Sequence, residues 1–185
     1  NLINTPGVGG YVYGTNLTTF SATNGGPFAG AQTITGATNF YDMVVNPGTS
    51  LTLNNPSIVN RNMTLSSGTL IFGGNGITVL GDVINDASYT DDNSVGSGLI
   101  LNGTTLQHIT GFGAYASLTL NNTMGAQIEN NITLQEDLTL TLGILDIKKN
   151  LVSLGVNSLI QGATFSATKM ITSDGVFSNV GLRKF

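Results

Sequence analysis

Few residues in this chain could do chemistry. His108 is the single histidine among 185 residues, and there is no cysteine. A lone imidazole acts as a base or metal ligand only when acids or hydroxyls are brought to it. Gln107-His108-Ile109-Thr110-Gly111 aligns with Gln32-Thr33-Ile34-Thr35-Gly36, so a plain hydroxyl residue stands where the histidine does. That alignment makes His108 an outward strand position with a structural role. Neither Gly-x-Ser-x-Gly nor His-Glu-x-x-His occurs, which leaves no nucleophile elbow and no zinc-binding helix to build on. No catalytic, cofactor-binding or metal-binding residue is therefore assigned, and no cofactor is expected.

The acids offer more combinations. Asp82, Asp86, Asp91 and Asp92, with Asn93, could gather oxygens for Ca²⁺, but their spacing is not that of an EF-hand loop. Gly73-Gly74-Asn75-Gly76-Ile77-Thr78 begins like a calcium-binding nonapeptide, with Thr78 where an aspartate is needed. A solvated loop over 85–98 is the expectation. Asp42, Arg61 and Asp82 lie about one turn apart, and parallel β-helical polysaccharide lyases and hydrolases use acids with Arg or Lys on a groove. The aligned positions hold Ser117, Glu136 and Asn157, so the charge pattern is not kept. A surface ion-pair ladder is expected, and such pairs contribute little. A glycosidase carboxylate pair has no supporting motif. Tyr41, Tyr89 and Tyr115 are the aromatic candidates for glycan contact if the chain is a carbohydrate-binding module. Outward threonines such as Thr52, Thr64, Thr78, Thr119, Thr133 and Thr139 could order water on a flat face. Such arrays need paired Thr on each strand, and only Thr33-x-Thr35 and Thr139-x-Thr141 qualify; Thr as a good exposed strand former explains the rest.

The elements that position these groups are short strands. Apolar-x-apolar triplets recur at Met43-Val44-Val45, Leu51-Thr52-Leu53, Ile58-Val59, Met63-Thr64-Leu65, Leu70-Ile71-Phe72 and Ile77-Thr78-Val79. Every third triplet falls in step, with Met43, Met63 and Val83 opening one series, Leu51 and Leu70 a second, Ile58 and Ile77 a third. Two inward side chains with one outward between them is the strand period of two. Three strands per turn of about 20 residues, with Asn, Gly, Ser and Pro at the corners, predict an all-β, three-sided parallel β-helix. The alternative is an antiparallel β-sandwich. Sliding the chain on itself until Gln32 meets Gln107 aligns 31–84 with 106–159 without a gap, and eleven of the aligned positions are identical. Met63 to Phe72 and Leu138 to Ile147 are the plainest pair. The expected layout has an irregular N-terminal cap over 1–30 and a β-solenoid spanning 31–185. The solenoid holds two units of about 75 residues and four turns each, with an inserted loop 85–98 and a final coil 160–185.

Composition agrees. Charged residues are only 9% of the chain against 40% apolar, and there are 25 glycines, a mixture that disfavours helices. A net charge of −4 argues against nucleic acid, because phosphate binding needs clustered Lys and Arg. No apolar run approaches the length of a membrane-spanning helix, roughly 18 residues or more, so membrane insertion is not expected. The chain begins at Asn1 and stops mid-pattern at Phe185, which suggests a processed product or a section of a longer chain.

Gln32-Thr33-Ile34-Thr35-Gly36, then Val44-Val45-Asn46, then Met63-Thr64-Leu65-Ser66-Ser67-Gly68-Thr69-Leu70 form a series with a resemblance. It is similar to the repeat regions of large surface and secreted proteins of Bacteroidota exported by the type IX system. Phe165-Ser166-Ala167-Thr168-Lys169-Met170-Ile171-Thr172 looks like the segment that closes such repeats. The resemblance covers about residues 20 to 185. It implies a cell-surface or extracellular setting, often adhesive or gliding-related, and carries no catalytic residues to transfer. The sorting domain expected at the C-terminus of such proteins is absent from this sequence. The resulting expectation is a non-enzymatic structural or adhesive module, a stiff scaffold displaying loops, with surface glycans or other cell-surface proteins as partners. A carbohydrate-binding module and a polysaccharide-processing β-helix enzyme are the alternatives.

Overall fold

The computed structural model describes residues 2–3, 11, 14–21, 30–46, 50–90, 96–175 and 179–185. Alternation of side chains makes the strands. Met43, Val45, Met63 and Leu65 are fully buried, while Val44 and Thr64 between them are partly exposed. Among the described residues no strand is longer than five residues, too short to bury a face alone, so each is stable only against its neighbours.

The described strands fall in three sheets visited in rotation, of nine, seven and eight strands. Gln32–Thr35 belongs to the first, Thr38–Phe40 to the second and Asp42–Asn46 to the third. Ser50–Leu53 then returns to the first and pairs with Gln32–Thr35 in parallel. Every ladder among the described strands is parallel; an isolated bridge between Ser166 and Lys169 is antiparallel. The fold is an all-β, three-sided parallel β-helix, and the sandwich alternative fails. Inward residues stack into columns, such as Phe40, Val59, Val79, Leu101, Leu120 and Leu140 on the seven-stranded sheet. All six are fully buried. At about 25 cal/mol per Å² of apolar surface, such continuous columns supply the main stabilisation.

Turn length is not uniform. Met43, Met63 and Val83 occupy one column at even steps, but the next member is Ile109, a distinctly longer step. The extra residues are divided between the link after Thr90 and the link after Leu101, and Ser88–Thr90 is itself a strand of the nine-stranded sheet. The loop expected over 85–98 is thus narrower, and Asp91, Asp92 and Asn93 lie outside the described residues. So does most of the expected cap over 1–30. The long turn also changes the repeat. Among the described strands, 31–84 spans nine and 106–159 spans eight, with Ile160–Gln161 just past its end. The full repeat from Gln32 to Gln107 is eleven strands, a third of a turn short of the four expected. Ser88–Thr90 and Gly98–Leu101 form a two-strand spacer between the units, so a strand and its copy are eleven strands apart and lie in different sheets.

The identical residues nevertheless keep their contacts. Asn55 Oδ1 accepts the Gly36 N–H at 2.7 Å, and Asn130 Oδ1 accepts the Gly111 N–H at 3.0 Å. Both glycines have left-handed backbone, φ 91° and 92°, a conformation that costs other residues energy. Asn75 Nδ2 donates to Leu53 O at 3.0 Å and Asn150 Nδ2 to Ile128 O at 2.7 Å. These asparagines bind the turn beneath them through backbone oxygens that strand pairing leaves over.

Tyr89 and Tyr115 correct an expectation. Both are fully buried, because they occupy the inward positions of Ser88–Thr90 and Ala114–Tyr115. Tyr89 stacks on Phe72 at a centroid distance of 5.5 Å and packs on Tyr115 at 5.2 Å. Burial pushes both phenols above their ordinary value, and Tyr89 is raised further by Tyr115. Neither ring can meet a glycan. Of the three tyrosines only Tyr41 is partly exposed, with the Arg61 guanidinium 5.4 Å from its centroid.

Candidate functional site

Of the acids that suggested metal or sugar chemistry, Asp42, Asp82 and Asp86 serve the backbone. Asp42 Oδ1 accepts the Asn62 N–H at 3.0 Å, Asn62 Oδ1 the Asp82 N–H at 2.9 Å, and Asp82 Oδ1 the His108 N–H at 2.8 Å. This ladder climbs one corner, each side chain capping the strand entry of the next turn. Arg61 pairs with Asp42 at 3.1 Å, yet Asp82 is engaged with His108. Of the three residues expected to stack, Asp42 and Asp82 belong to a ladder of backbone caps whose middle rung is Asn62, and Arg61 adds one ion pair to it. Asp86 Oδ1 likewise accepts the Phe112 N–H at 3.3 Å. Among the described residues no group of three His, Cys, Asp or Glu could hold a metal ion.

His108 lies on an outward strand position, as the alignment indicated, and it has company that the sequence did not reveal. Its Nδ1 is 2.8 Å from Glu129 Oε1, and Lys148 Nζ donates to both Glu129 oxygens at 2.8 Å. Glu129 follows Ala126–Ile128, the strand paired with Gln107–Thr110. Lys148 sits in a turn with φ 50°, its N–H held by Asp146 Oδ1 at 2.9 Å. The available signal was that His108, Glu129 and Lys148 follow one another at close to one turn each. Lys148, and then His108, hold the Glu129 carboxyl below its usual value. A carboxylate kept ionised by an ammonium is a poor general acid, the opposite of the raised acid that glycoside cleavage needs. Replacing Lys148 by Ala should move the Glu129 pKa up toward the ordinary carboxylate range, read by NMR titration of its side chain. An unchanged Glu129 titration would mean that the pair is not formed in solution.

The second feature is a groove of about 480 Å³ at the corner between the seven- and eight-stranded sheets. Thr123, Thr141, Thr164, Ser166, Thr168 and Lys169 line it. One wall arises from a bulge: Leu120 pairs with Leu140, but Asn121 pairs with Leu142. The extra residue, Thr141, and Leu142 after it both point to solvent. Bulges re-aim side chains in this way and are common beside sites. The other wall is the link from Ile160–Gln161 to Ile171–Thr172, much longer than the Gly143-Ile144 link at the same corner one turn earlier. Ser166 and Lys169 exchange two backbone hydrogen bonds of 3.0 Å across it, and Lys169 Nζ donates to Ala163 O.

Sequence reasoning missed this groove because its lining residues are ordinary corner residues in type. The outward threonines form no paired array. One column reads Ile58, Thr78, Ile100, Thr119, Thr139, so isoleucines interrupt it. No helix among the described residues is long and apolar enough to cross a membrane. Comparison with known proteins found no matching family, no matching curated protein and no matching solved structure.

Proposed function

We propose that this chain is a non-enzymatic structural and adhesive module of an extracellular or cell-surface bacterial protein. It acts as a stiff scaffold that presents surface features to a partner. The observation that carries this reading is the stacking: each sheet is a parallel ladder, and the columns beneath its central strands are buried. A structure whose every turn is braced by the turns above and below resists bending and pulling. The candidate catalytic acids are consumed as backbone caps, which favours a scaffold over a polysaccharide-processing enzyme. The hydroxyl-lined groove favours carbohydrate binding as the mode of adhesion. An antibody raised against the chain should label intact, non-permeabilised source cells or their culture medium. Labelling that appears only after lysis overturns the surface assignment.

A further inference from the structure

We propose that the groove at the corner of the seven- and eight-stranded sheets binds an acidic polysaccharide, one whose sugar rings carry carboxylates. The inference rests on the adhesive reading and supplies its ligand class. Five hydroxyl residues line it, two of them, Ser166 and Thr168, hydrogen-bonded to each other through their hydroxyls at 3.2 Å. A hydroxyl can both donate and accept, as the hydroxyls of a sugar require. Lys169 adds a cation. Its ammonium has three donors, one of which is on Ala163 O, and the others suit a carboxylate. The volume of about 480 Å³ falls within the range of small-ligand sites. The open form suits a segment of a chain that enters and leaves.

Two further observations select an acidic glycan. Leu142 of the bulge lines the groove and is 45% exposed. An exposed apolar group beside hydroxyls matches the alternation of C–H faces and hydroxyl edges on a sugar ring. The charge of the chain is also divided. Residues 1–146 hold nine acids against one base, and residues 147–185 hold five bases against one acid. A polyanion is steered toward the end that carries the groove and away from the rest. An acidic peptide would share the carboxylate chemistry, but a wall of hydroxyls with a single ammonium offers it little in the way of side-chain pockets.

The test is calorimetric titration of the full chain with oligogalacturonate, with a neutral cello-oligosaccharide and with polyglutamate as separate probes. Oligogalacturonate should bind saturably and more tightly than either other probe. Lys169→Ala and Thr164→Val/Ser166→Ala should each weaken it by about tenfold, with circular dichroism unchanged. Lys149→Ala, which removes the same charge elsewhere, should leave affinity within about twofold. Equal binding of polyglutamate, equal binding of the neutral oligomer, or equal loss in Lys149→Ala overturns the proposal. So does the absence of saturation. Oligogalacturonate binding without surface labelling would remove the adhesive reading and leave this site standing; surface labelling without binding would do the reverse.

Discussion

Replacing Gly111 by alanine should lower the midpoint of thermal unfolding by about 6–12 °C. Gly111 has φ 92°, and a Cβ built on it would lie 2.1 Å from Asn85 O and 2.6 Å from Asn85 C. Both obstacles are backbone of the turn beneath, so no rotamer change relieves them. Left-handed strain alone costs about 1–3 kcal/mol, and the displaced strand pairing raises the total to about 3 kcal/mol or more. In a domain of this size each kcal/mol shifts the midpoint by about 2–4 °C. Gly30→Ala is the control, because nothing lies within 4 Å of its Cβ position and its φ is not in the left-handed region. It should change stability by less than about 0.5 kcal/mol. Equal midpoints for Gly111→Ala and wild type, by calorimetry, would show that this corner is not built as described.

Alkali should destabilise the protein steeply. The folded chain keeps the Tyr89 and Tyr115 phenols protonated because burial penalises their anions. The unfolded chain releases both protons above about pH 10. Raised folded values mean that the unfolded state binds fewer protons there, so stability is intact below that pH and is lost above it. Each phenol contributes a slope of about 1.4 kcal/mol per pH unit, and the pair about 2.7. Urea unfolding at stepped pH between about 9 and 12 measures the slope. In Tyr89→Phe/Tyr115→Phe it should flatten by that amount. Parallel slopes for the two proteins would mean that these rings reach solvent.

Period and fold class were legible in the sequence because hydrophobic alternation reports burial directly. Met43-Val44-Val45 and Met63-Thr64-Leu65 announce both the strand and the step to its partner. Ser88-Tyr89-Thr90 hid its strand, since one aromatic between two hydroxyl residues reads equally well as a loop. Losing that strand concealed the two-strand spacer, and dividing the period by a uniform turn gave four turns where eleven strands make a third of a turn less. Tyr89 looked like an exposed aromatic for the same reason, since a face is fixed by register and register at a spacer has no local signal. Tyr115 lies in the second unit, where its alignment with the inward Phe40 was the signal of burial. The groove was illegible because it depends on the one-residue bulge at Thr141, which shifts pairing without altering residue type. The cluster of His108, Glu129 and Lys148 needed the turn length to within a residue, and turn lengths vary.

The spacer between the units also governs avidity. Eleven strands and three sides share no common factor, so equivalent positions in the two units point in different directions around the axis. A feature duplicated together with the unit would precess around the rod and face its starting direction again only in the fourth copy. Tandem copies of such a module could therefore not press the same patch against one flat surface at once. Their gain in effective concentration would go to partners that wrap or surround the rod, as a hydrated polymer mesh does.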